Sequence, residues 1–523
     1  MDRRTGGSMR GRRPNGTHKT ASVVVPPQQI SVTTHPLSDD RAIEESTTEG
    51  SDGMPTPSPS QLSGDGSLPA DSPSSARRPN ASRKPSSPMA PTFMVSAPGK
   101  VIVFGEHAVV HGKRAIAAAI SLRSYLLVTT LSKSRRTVTL NFQDIGLDHT
   151  WDIDALPWDA FHLPAKKKFY YDRVTMLDPD LLPEVRKVHQ GSANAFLYLY
   201  LSLGSPQSHG AIYTLRSTIP IGAGLGSSAS VCVCLSAALL LQIRALAGPH
   251  PDQPSAESEV QIERINHWAF VGELCIHGNP SGVDNTVSAG GKAVLFRRGD
   301  YSKPPFVKPI LDFPELSLLL VNSRQARSTA TEVAKVAALK QSHETITESL
   351  LEGIDQVTTS AYDFISSERF DHKSSDTLDY FGTLFRINHG LLVSLGVSHP
   401  RLERIRELVD HNGIGWTKLT GAGGGGCAIT LIGASRDSAA FRLLERQLDD
   451  EGYETYETTL GGPGVGVLWP AVLKNGSDEE GGEEIDQQKF ENAEGNQGIE
   501  QLVGVGVAEV REGWKFWRRG PLG

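Results

Sequence analysis

The chain has 523 residues, and its 52 Lys and Arg against 59 Asp and Glu give a formal net charge of -7. This mildly acidic balance argues against a nucleic-acid-binding protein, which would carry a basic surface. The chain has only four cysteines and no CxxC pair, so we predict no disulfide framework. No run of apolar residues reaches the ~18 to 20 needed for a transmembrane span, so we predict no membrane segment.

Residues 1–90 are rich in Ser, Pro, Thr and Gly and contain almost no aromatic side chains. Such a segment buries too little apolar surface to offset the entropy lost on ordering, so we predict a disordered tail. The arginines near its start would also suit a mitochondrial targeting segment, but no amphipathic apolar face accompanies them. A disordered tail on a cytoplasmic protein is therefore the favoured interpretation.

The hydrophobic pattern becomes that of a folded protein over residues 91–472. Two apolar runs around Pro98-Gly99 predict two strands joined by a turn. Further elements follow in chain order: strands 121–131 and 137–142, helix 192–203, strand 211–219, helices 229–247, 257–276, 330–348, 354–367, 376–395 and 400–412, and strands 428–432 and 464–469. Because strands and helices do not alternate strictly, we expect an α+β fold.

Residues 473–523 differ again in composition. An acidic run at 478–484 is followed by Gly, Gln and Asn, and residues 514–519 are basic and aromatic. We predict a disordered acidic tail. Its basic-aromatic end would suit contact with a membrane or a partner, but an untethered terminus is favoured.

The segment Pro220–Ser228 reads PIGAGLGSS, and it follows a predicted strand and opens a predicted helix. Glycines let backbone N–H groups approach an anion closely, and the N-terminus of the helix favours phosphate. The loop lacks the Lys of a Walker A motif, and no acidic residue follows it at the distance typical of a dinucleotide-binding fingerprint. A glycine-rich turn without a ligand remains an alternative, although the two serines at the helix start could cap the helix or bind a cation.

A second glycine cluster, KLTGAGGGGC, spans Lys418–Cys427 and leads into a predicted strand. Four consecutive glycines indicate a close approach of the backbone to a ligand or to another loop, and a flexible hinge is the alternative. We interpret Cys427 as a small core residue rather than a nucleophile, because no electropositive partner stands beside it in the sequence.

Three charged residues could serve phosphoryl transfer, which needs a cation on the phosphates and a group that accepts the proton of the acceptor hydroxyl. Glu273 lies near the end of a predicted helix, and Asp284 lies in the loop HGNPSGVDN. Lys100 stands between two apolar strands. Taken singly, each could also be an ordinary surface residue.

Considered together, these segments resemble the GHMP small-molecule kinases, and among them the mevalonate kinases. The resemblance covers about 380 residues and rests on six segments in order: Ser96–Lys100, Lys100–Gly112 (KVIVFGEHAVVHG), Pro220–Ser228, His277–Asn285, Asn388–His399 (NHGLLVSLGVSH) and Lys418–Gly426. It implies a two-domain fold, with a ribosomal-protein-S5-like nucleotide-binding domain over residues 91–310 and a ferredoxin-like domain over residues 311–472.

The resemblance also implies an activity, the Mg²⁺- and ATP-dependent phosphorylation of (R)-mevalonate to 5-phosphomevalonate in isoprenoid and sterol biosynthesis. Asp284 would accept the hydroxyl proton, Lys100 would activate the hydroxyl and contact the nucleotide, and Ser228 and Glu273 would hold Mg²⁺. Phosphate and nucleotide contacts are expected from Ser217, Gly222, Ala223, Gly224, Leu225, Gly226, Ser227 and Ser228. Contacts with mevalonate are expected from Glu106, His107 and Thr329. The Gly423–Gly426 loop should support the segment Pro220–Ser228, which we call the phosphate loop. The family further implies a homodimer and inhibition by isoprenoid diphosphates.

Two alternatives belong to the same fold. Another GHMP kinase, acting on phosphomevalonate or homoserine, should lack the GEHAVVHG and HGNPSGVDN segments. A catalytically inactive sensor should lack at least one of Lys100, Ser228, Glu273 and Asp284, and all four are present. Two features depart from the family pattern. Asp144 stands where the family can carry Asn, so we assign it no nucleotide contact, and residues 160–190 match poorly.

Overall fold

The computed structural model describes residues 90–161, 183–299, 305–367, 370–371, 373–433, 438–475, 483–503 and 511–520. The predicted first tail lies outside the described residues except for its last position, and so does most of the stretch 160–190. The described residues all fall within one unit of the chain, Ser82–Gly523. No helix among them is both long and apolar enough to cross a lipid bilayer.

Strands and helices are mixed along the chain, which confirms the predicted α+β class. The strands are β1 (Phe93–Phe104), β2 (Arg114–Thr130), β3 (Thr137–Phe142), β4 (Leu147–Asp152), β5 (Ala211–Ser217), β6 (Ala293–Arg297), β7 (Phe306–Ile310), β8 (Leu316–Asn322), β9 (Gly415–Leu419), β10 (Cys427–Ile432), β11 (Glu454–Leu460), β12 (Gly466–Leu468), β13 (Val472–Asn475), β14 (Glu483–Glu484), β15 (Arg511–Glu512) and β16 (Lys515–Phe516). The α-helices are α1 (Trp158–Phe161), α2 (Pro183–Leu203), α3 (Ser227–Gln242), α4 (Ser255–His277), α5 (Val283–Gly290), α6 (Thr329–Ser342), α7 (Glu344–Ile365), α8 (Ser375–Ser394), α9 (Pro400–Asn412), α10 (Ser438–Asp450), α11 (Gln487–Glu491) and α12 (Gly495–Val503).

The long strand β2 organises the main sheet. Its first half pairs with β6, its second half pairs with β5, and β1 runs antiparallel to both halves. β11 joins β2 through the pair Leu460–Ile120, and β8, β10 and β9 follow outward from β11. Strands from before and after residue 310 therefore form one sheet of 13 strands in the described part of the chain.

β1 is one irregular strand, and the predicted turn at Pro98-Gly99 is wrong. Its register against β2 shifts between Pro98 and Lys100, which is how a strand absorbs a proline that has no N–H to donate. The Lys100 N–H instead donates to the carbonyl oxygen of Leu225 at 2.8 Å. A Cβ on Gly99 would lie 2.9 Å from the same oxygen. The Pro-Gly pair therefore marks the place where the phosphate loop meets β1.

Side chains of β1 and β2 are buried on both faces of the sheet. Phe93, Val95 and Leu126 pack with helices α2, α3 and α4 on one face. Their neighbours Met94 and Leu127 point to the opposite face because successive residues of a strand alternate. The sheet therefore needs a cover on each face, and helices α2, α3 and α4 provide only one of them.

The second cover comes from residues 483–503 and 511–520, which we call the C-terminal cap. Its apolar side chains pack on Met94, Tyr125 and Leu127; they are Ile485, Phe490, Ile499 and Val503. The prediction of a disordered acidic tail is wrong for these residues. Their apolar side chains are too sparse to form a core of their own, but each is buried by packing against the main sheet.

The basic-aromatic end of the chain is also anchored, against our prediction. β16 pairs with β12 at the edge of the main sheet. The side chain of Trp517 is 1% exposed, and its Nε1 donates to Oε1 of Gln261 at 2.9 Å. Arg519 forms ion pairs with Glu259 and Glu263 on α4.

Candidate active site

Lys100 and Asp284 form an ion pair beside the phosphate loop. Lys100 projects from the irregular part of β1, and Asp284 lies in the first turn of α5, where the helix dipole favours a carboxylate. Lys100 Nζ and Asp284 Oδ1 are 3.2 Å apart, and the Asp284 side chain keeps 31% of its exposure while that of Lys100 keeps 8%. The pair thus places the buried ammonium group of Lys100 beside the Asp284 carboxylate, which a substrate can reach.

The phosphate loop bends around this pair. Gly222, Gly224 and Gly226 all have positive φ angles, which glycine adopts without strain. A Cβ on Gly226 would lie 3.0 Å from Cγ of Lys100 and 3.7 Å from Oδ2 of Asp284. The loop then runs directly into the 16-residue helix α3, whose first N–H groups favour an anion.

Most of the predicted phosphate contacts line a single cavity of about 910 Å³. The loop residues in its wall are Gly222, Gly224, Leu225, Gly226, Ser227 and Ser228. Ala223 is the exception: its side chain is buried, and its carbonyl oxygen accepts a hydrogen bond from Arg327. Ala223 therefore helps to hold the loop in place and does not contribute to the cavity wall.

Ser228 and Glu273 face each other from the first turn of α3 and the last turns of α4. Burial raises the pKa of Glu273 to about 7, while the Ser228 hydroxyl lowers it and the charge of Asp284 raises it further. Ser228 Oγ also lies 3.0 Å from Nε2 of His277. Glu273 is 4% exposed and stands behind Ser228, outside the cavity wall.

These two residues fit a magnesium ion. A carboxylate oxygen and a hydroxyl oxygen are hard donors of the kind that Mg²⁺ prefers, and a dication would stabilise the charge of the buried Glu273. The described residues contain no cluster of three or more His, Cys, Asp or Glu that could hold a metal by themselves. The arrangement therefore suits an ion that takes its remaining ligands from phosphates and water, which is typical of Mg²⁺.

Glu106 and His107 line the cavity beside this centre. The side chain of Glu106 is turned into the protein, where Lys418 and Asn388 donate hydrogen bonds to its two oxygens. His107 has a φ of +61°, a strained value for a residue other than glycine, and its Nε2–H donates to the carbonyl oxygen of Ala422 at 2.8 Å. Burial lowers the pKa of His107, so this histidine is neutral.

Thr329 also lines the cavity, at the first residue of α6. Just before it, Arg327 lies between the two glycine clusters. Its Nη2 donates to the carbonyl oxygen of Ala223 at 3.1 Å, and its Nη1 donates to that of Thr420 at 3.3 Å. A Cβ on Gly426 would lie 2.7 Å from Nε of Arg327. Gly421 and Gly426 thus leave room for Arg327. The three glycines between them approach other neighbours, namely Val397, Glu332 and Gln325.

The opposite end of the cavity has apolar walls and one carboxylate. Phe142, Ile145 and Leu215 line it together with Ser217 and Asp144, to which we assigned no role from the sequence. Lys100 and Asp284 lie beside Gly226, so this apolar end suits an uncharged part of a ligand rather than the reacting groups.

Cys427 is confirmed as a buried core residue, and burial raises the pKa of its thiol to about 12. Sequence reasoning missed Arg327 and the role of Lys418 as the partner of Glu106. An arginine two residues before a predicted substrate contact was the available signal for Arg327. Lys418 was part of the second glycine segment, but nothing local in the sequence pointed to its distant partner.

Comparison with known proteins identifies the family. Residues 192–292 match the model of the GHMP kinases N terminal domain, and residues 374–451 match that of the GHMP kinases C terminal. The chain is 71% identical to the mevalonate kinase of Aspergillus fumigatus over 83% of its own length and 84% of that protein. The chain belongs to the mevalonate kinase family of GHMP kinases.

Further relatives agree with this membership. The mevalonate kinase of Gibberella zeae is 64% identical over 85% of this chain and 91% of that protein, and the human enzyme is 34% identical over 72% and 96%. Among solved structures, L. major mevalonate kinase in complex with R-mevalonate matches with a TM-score of 0.53 at 24% identity, over 72% of this chain and 99% of that one. This last match supports the two-domain GHMP kinase fold, and the family makes the chain an ATP-dependent kinase.

Proposed function

We propose that this kinase transfers the γ-phosphoryl group of ATP to the primary hydroxyl of (R)-mevalonate, in isoprenoid and sterol biosynthesis. The observation that carries the proposal is the Lys100–Asp284 pair against the phosphate loop, in a chain 71% identical to a mevalonate kinase. The pair supports phosphoryl transfer to an alcohol, and the names of the relatives supply the identity of the alcohol.

In the proposed reaction the hydroxyl oxygen of mevalonate attacks the γ-phosphorus, the bond to the β-phosphate breaks, and ADP leaves. Asp284 accepts the proton of the attacking hydroxyl, since its carboxylate is accessible and lies beside the loop. The Lys100 ammonium lies 3.2 Å from that carboxylate and stabilises negative charge on the reacting oxygens.

The phosphates are held by the backbone N–H groups of the Gly222–Ser228 loop and by the N-terminus of α3. Ser228 and Glu273 would hold Mg²⁺, which would supply positive charge to offset that of the phosphates. Arg327 keeps the loop in place from the other domain through the carbonyl oxygen of Ala223.

The acceptor lies against Glu106, His107 and Thr329, which share the cavity with Lys100. Because both oxygens of Glu106 already accept hydrogen bonds from Lys418 and Asn388, we propose that Glu106 positions this wall rather than binding mevalonate directly. His107 and Thr329 are the proposed contacts with the acceptor.

The test measures ADP release by the purified chain with Mg-ATP and (R)-mevalonate, beside the variant Asp284→Asn, which has nearly the same shape. We expect turnover with mevalonate, none with phosphomevalonate or homoserine, and a loss of about 10²- to 10⁴-fold in the variant, since the proton acceptor is removed. Calorimetry should show that the variant still binds ATP. If the folded wild-type chain binds ATP but does not phosphorylate mevalonate, the assignment is wrong.

A second test addresses the cation. Ser228→Ala and Glu273→Gln should each raise the Mg²⁺ concentration needed for half-maximal turnover, because each removes one proposed ligand. Unchanged Mg²⁺ dependence in both variants would contradict the assignment of these residues to the ion.

Three further expectations from the family belong to the proposal. Sedimentation should give a homodimer, and farnesyl diphosphate should inhibit competitively with ATP. A cytoplasmic location accords with the four cysteines, which are all free, as is usual in a reducing compartment. Microscopy of the tagged chain tests the location.

A further inference from the structure

The C-terminal cap is linked through Arg216 to the apolar end of the cavity, where Asp144 and Ser217 lie. This arginine lies in β5, and its side chain is 9% exposed. Its Nε donates to Oδ1 of Asp144 at 3.1 Å. Its Nη1 donates to two backbone carbonyl oxygens of the cap, those of Phe490 at 3.3 Å and Glu491 at 3.1 Å. These carbonyls end the short helix α11, where they have no partner within the helix. One guanidinium therefore joins the cap to a carboxylate in the cavity wall.

Asp144 is held on both of its oxygens. Oδ1 accepts from Arg216, and Oδ2 accepts from the backbone N–H of Ser217 at 2.6 Å. Asp144 and Ser217 both line the cavity, and Ser217 is the last residue of β5 before the segment that leads to the phosphate loop. The position of the Asp144 carboxylate therefore fixes the backbone at the start of that segment.

Two more hydrogen bonds join the cap to the same place. Nδ2 of Asn141 donates to Oε1 of Glu491 at 2.9 Å. Nδ2 of Asn496 donates to the carbonyl oxygen of Thr218 at 3.3 Å. The cap thus contacts the two short segments, 141–144 and 216–218, that form this end of the cavity.

We propose that the C-terminal cap positions the nucleotide-binding wall, with Arg216 as the positioning residue that acts through Asp144. This inference rests on the proposed function, because it assigns the ligand at this end to the nucleoside triphosphate of the kinase reaction. Neither the cap nor Arg216 forms part of the phosphate loop or the Lys100–Asp284 pair.

Charge gives the physical reason for the arrangement. A nucleoside triphosphate is a polyanion, and a partly buried carboxylate in its binding cavity repels it unless that carboxylate is compensated. Arg216 supplies the compensating charge from behind the wall, where it does not occupy the cavity. Unlike the buried Glu106, the Asp144 side chain keeps 26% of its exposure, so its oxygens can accept a further hydrogen bond from a donor group of the nucleoside.

The test compares two arginine-to-methionine substitutions, each of which removes contacts between the cap and the rest of the protein. Arg216→Met removes the link to Asp144, and Arg519→Met removes the ion pairs of the cap with Glu259 and Glu263 on α4, away from the cavity. We expect Arg216→Met to weaken ATP binding about tenfold, the size typical of losing a hydrogen-bonded charge. The KM for mevalonate should stay within about twofold of wild type in both variants, and Arg519→Met should bind ATP normally.

A rescue experiment separates positioning from general loosening of the fold. Adding Asp144→Asn to Arg216→Met removes the uncompensated carboxylate and should restore part of the ATP affinity. Equal weakening by Arg216→Met and Arg519→Met, or no recovery in the double variant, would overturn the proposal. If Arg216→Met does not fold, Asn496→Ala removes the hydrogen bond of the cap to Thr218 at the same end of the cavity, and an unchanged ATP affinity there would also overturn the proposal.

ATP affinity is measured by calorimetry without an acceptor. A failure of the proposed mevalonate kinase activity would therefore appear in turnover and not in these binding data. The inference about the cap fails only if the ATP affinities of the variants depart from the expected order.

Discussion

Lys418 and Glu106 form an ion pair in which neither side chain is accessible to solvent. Lys418 lies near the end of β9, as the first residue of the second glycine cluster, and Glu106 follows β1 in the cavity wall. Lys418 Nζ also donates to the carbonyl oxygen of Leu419 at 2.8 Å, and burial lowers the pKa of the amine. The pair therefore ties the C-terminal part of the fold to the wall of the cavity.

The first prediction concerns this pair. Lys418→Met leaves the Glu106 carboxylate buried without a cation, and we expect it to lower the free energy of unfolding by about 3 to 5 kcal/mol. Urea denaturation of wild type and variant measures this loss. In the double variant with Glu106→Gln the loss should be smaller, because no charge remains unpaired. Equal stability of wild type and Lys418→Met would contradict the burial of the pair.

The second prediction concerns Arg327, which holds the phosphate loop through the Ala223 carbonyl. We expect Arg327→Met to reduce kcat/KM for ATP by about 10²-fold, because a small displacement of a phosphate-binding loop strongly lowers the rate of phosphoryl transfer. Arg404→Met is the control, since Arg404 is an exposed arginine that pairs with Glu407 and Glu451. Steady-state kinetics of both variants measures kcat/KM for ATP, and thermal unfolding checks that each variant is folded. Similar losses in the two variants would argue against a specific role for Arg327.

Sequence patterns predicted the parts of the site whose residues are adjacent in the chain. The phosphate loop, with Ser227 and Ser228 at the helix start, could be recognised because glycine spacing and the following helix are adjacent in the chain. The comparisons confirm the family and the α+β fold that the six segments indicated. Roles of individual residues, such as Asp284 as proton acceptor, stay predictions from the resemblance.

What the sequence could not predict depends on long-range contacts. The partner of Glu106 is Lys418, in the other half of the chain, and composition alone placed the C-terminal cap among disordered segments. One signal was present: the second half of β2, from Tyr125 to Val128, is apolar without alternation, which indicates a sheet covered on both faces. The apolar run therefore indicates that a second segment packs on the sheet, but it does not show which segment that is.

The third prediction tests the cap. Trp517→Ala removes a side chain that is 1% exposed and hydrogen-bonded to Gln261, so we expect a loss of about 3 to 5 kcal/mol in the free energy of unfolding. Trp469→Ala is the matched control, because Trp469 is 41% exposed and should cost less. Limited proteolysis should cut the Trp517→Ala variant within residues 511–520 before it cuts wild type. A stability equal to that of wild type would mean that the end of the chain is not anchored in solution.

The last prediction concerns pH. Burial lowers the pKa of His389 from its ordinary value of 6.5; the charges of Lys418 and Arg406 lower it further, and Glu403 raises it. The Leu419 N–H donates to Nδ1 of His389 at 3.2 Å, so the ring is neutral and carries its proton on Nε2, which donates to Oε1 of Glu403 at 3.0 Å.

Since the folded-state pKa of His389 lies below the unfolded one, the unfolded chain binds more protons as the pH falls below about 6.5. The stabilising contribution is therefore complete above that pH and is lost as the pH falls toward the folded-state pKa. We expect the free energy of unfolding to decrease between pH 6.5 and 5, and to decrease less in His389→Gln, whose amide can keep both hydrogen bonds without titrating. Because burial also lowers the pKa of His107, some pH dependence should remain in that variant. Identical slopes for the two proteins, measured by urea denaturation across this range, would show that His389 does not titrate as the contacts require.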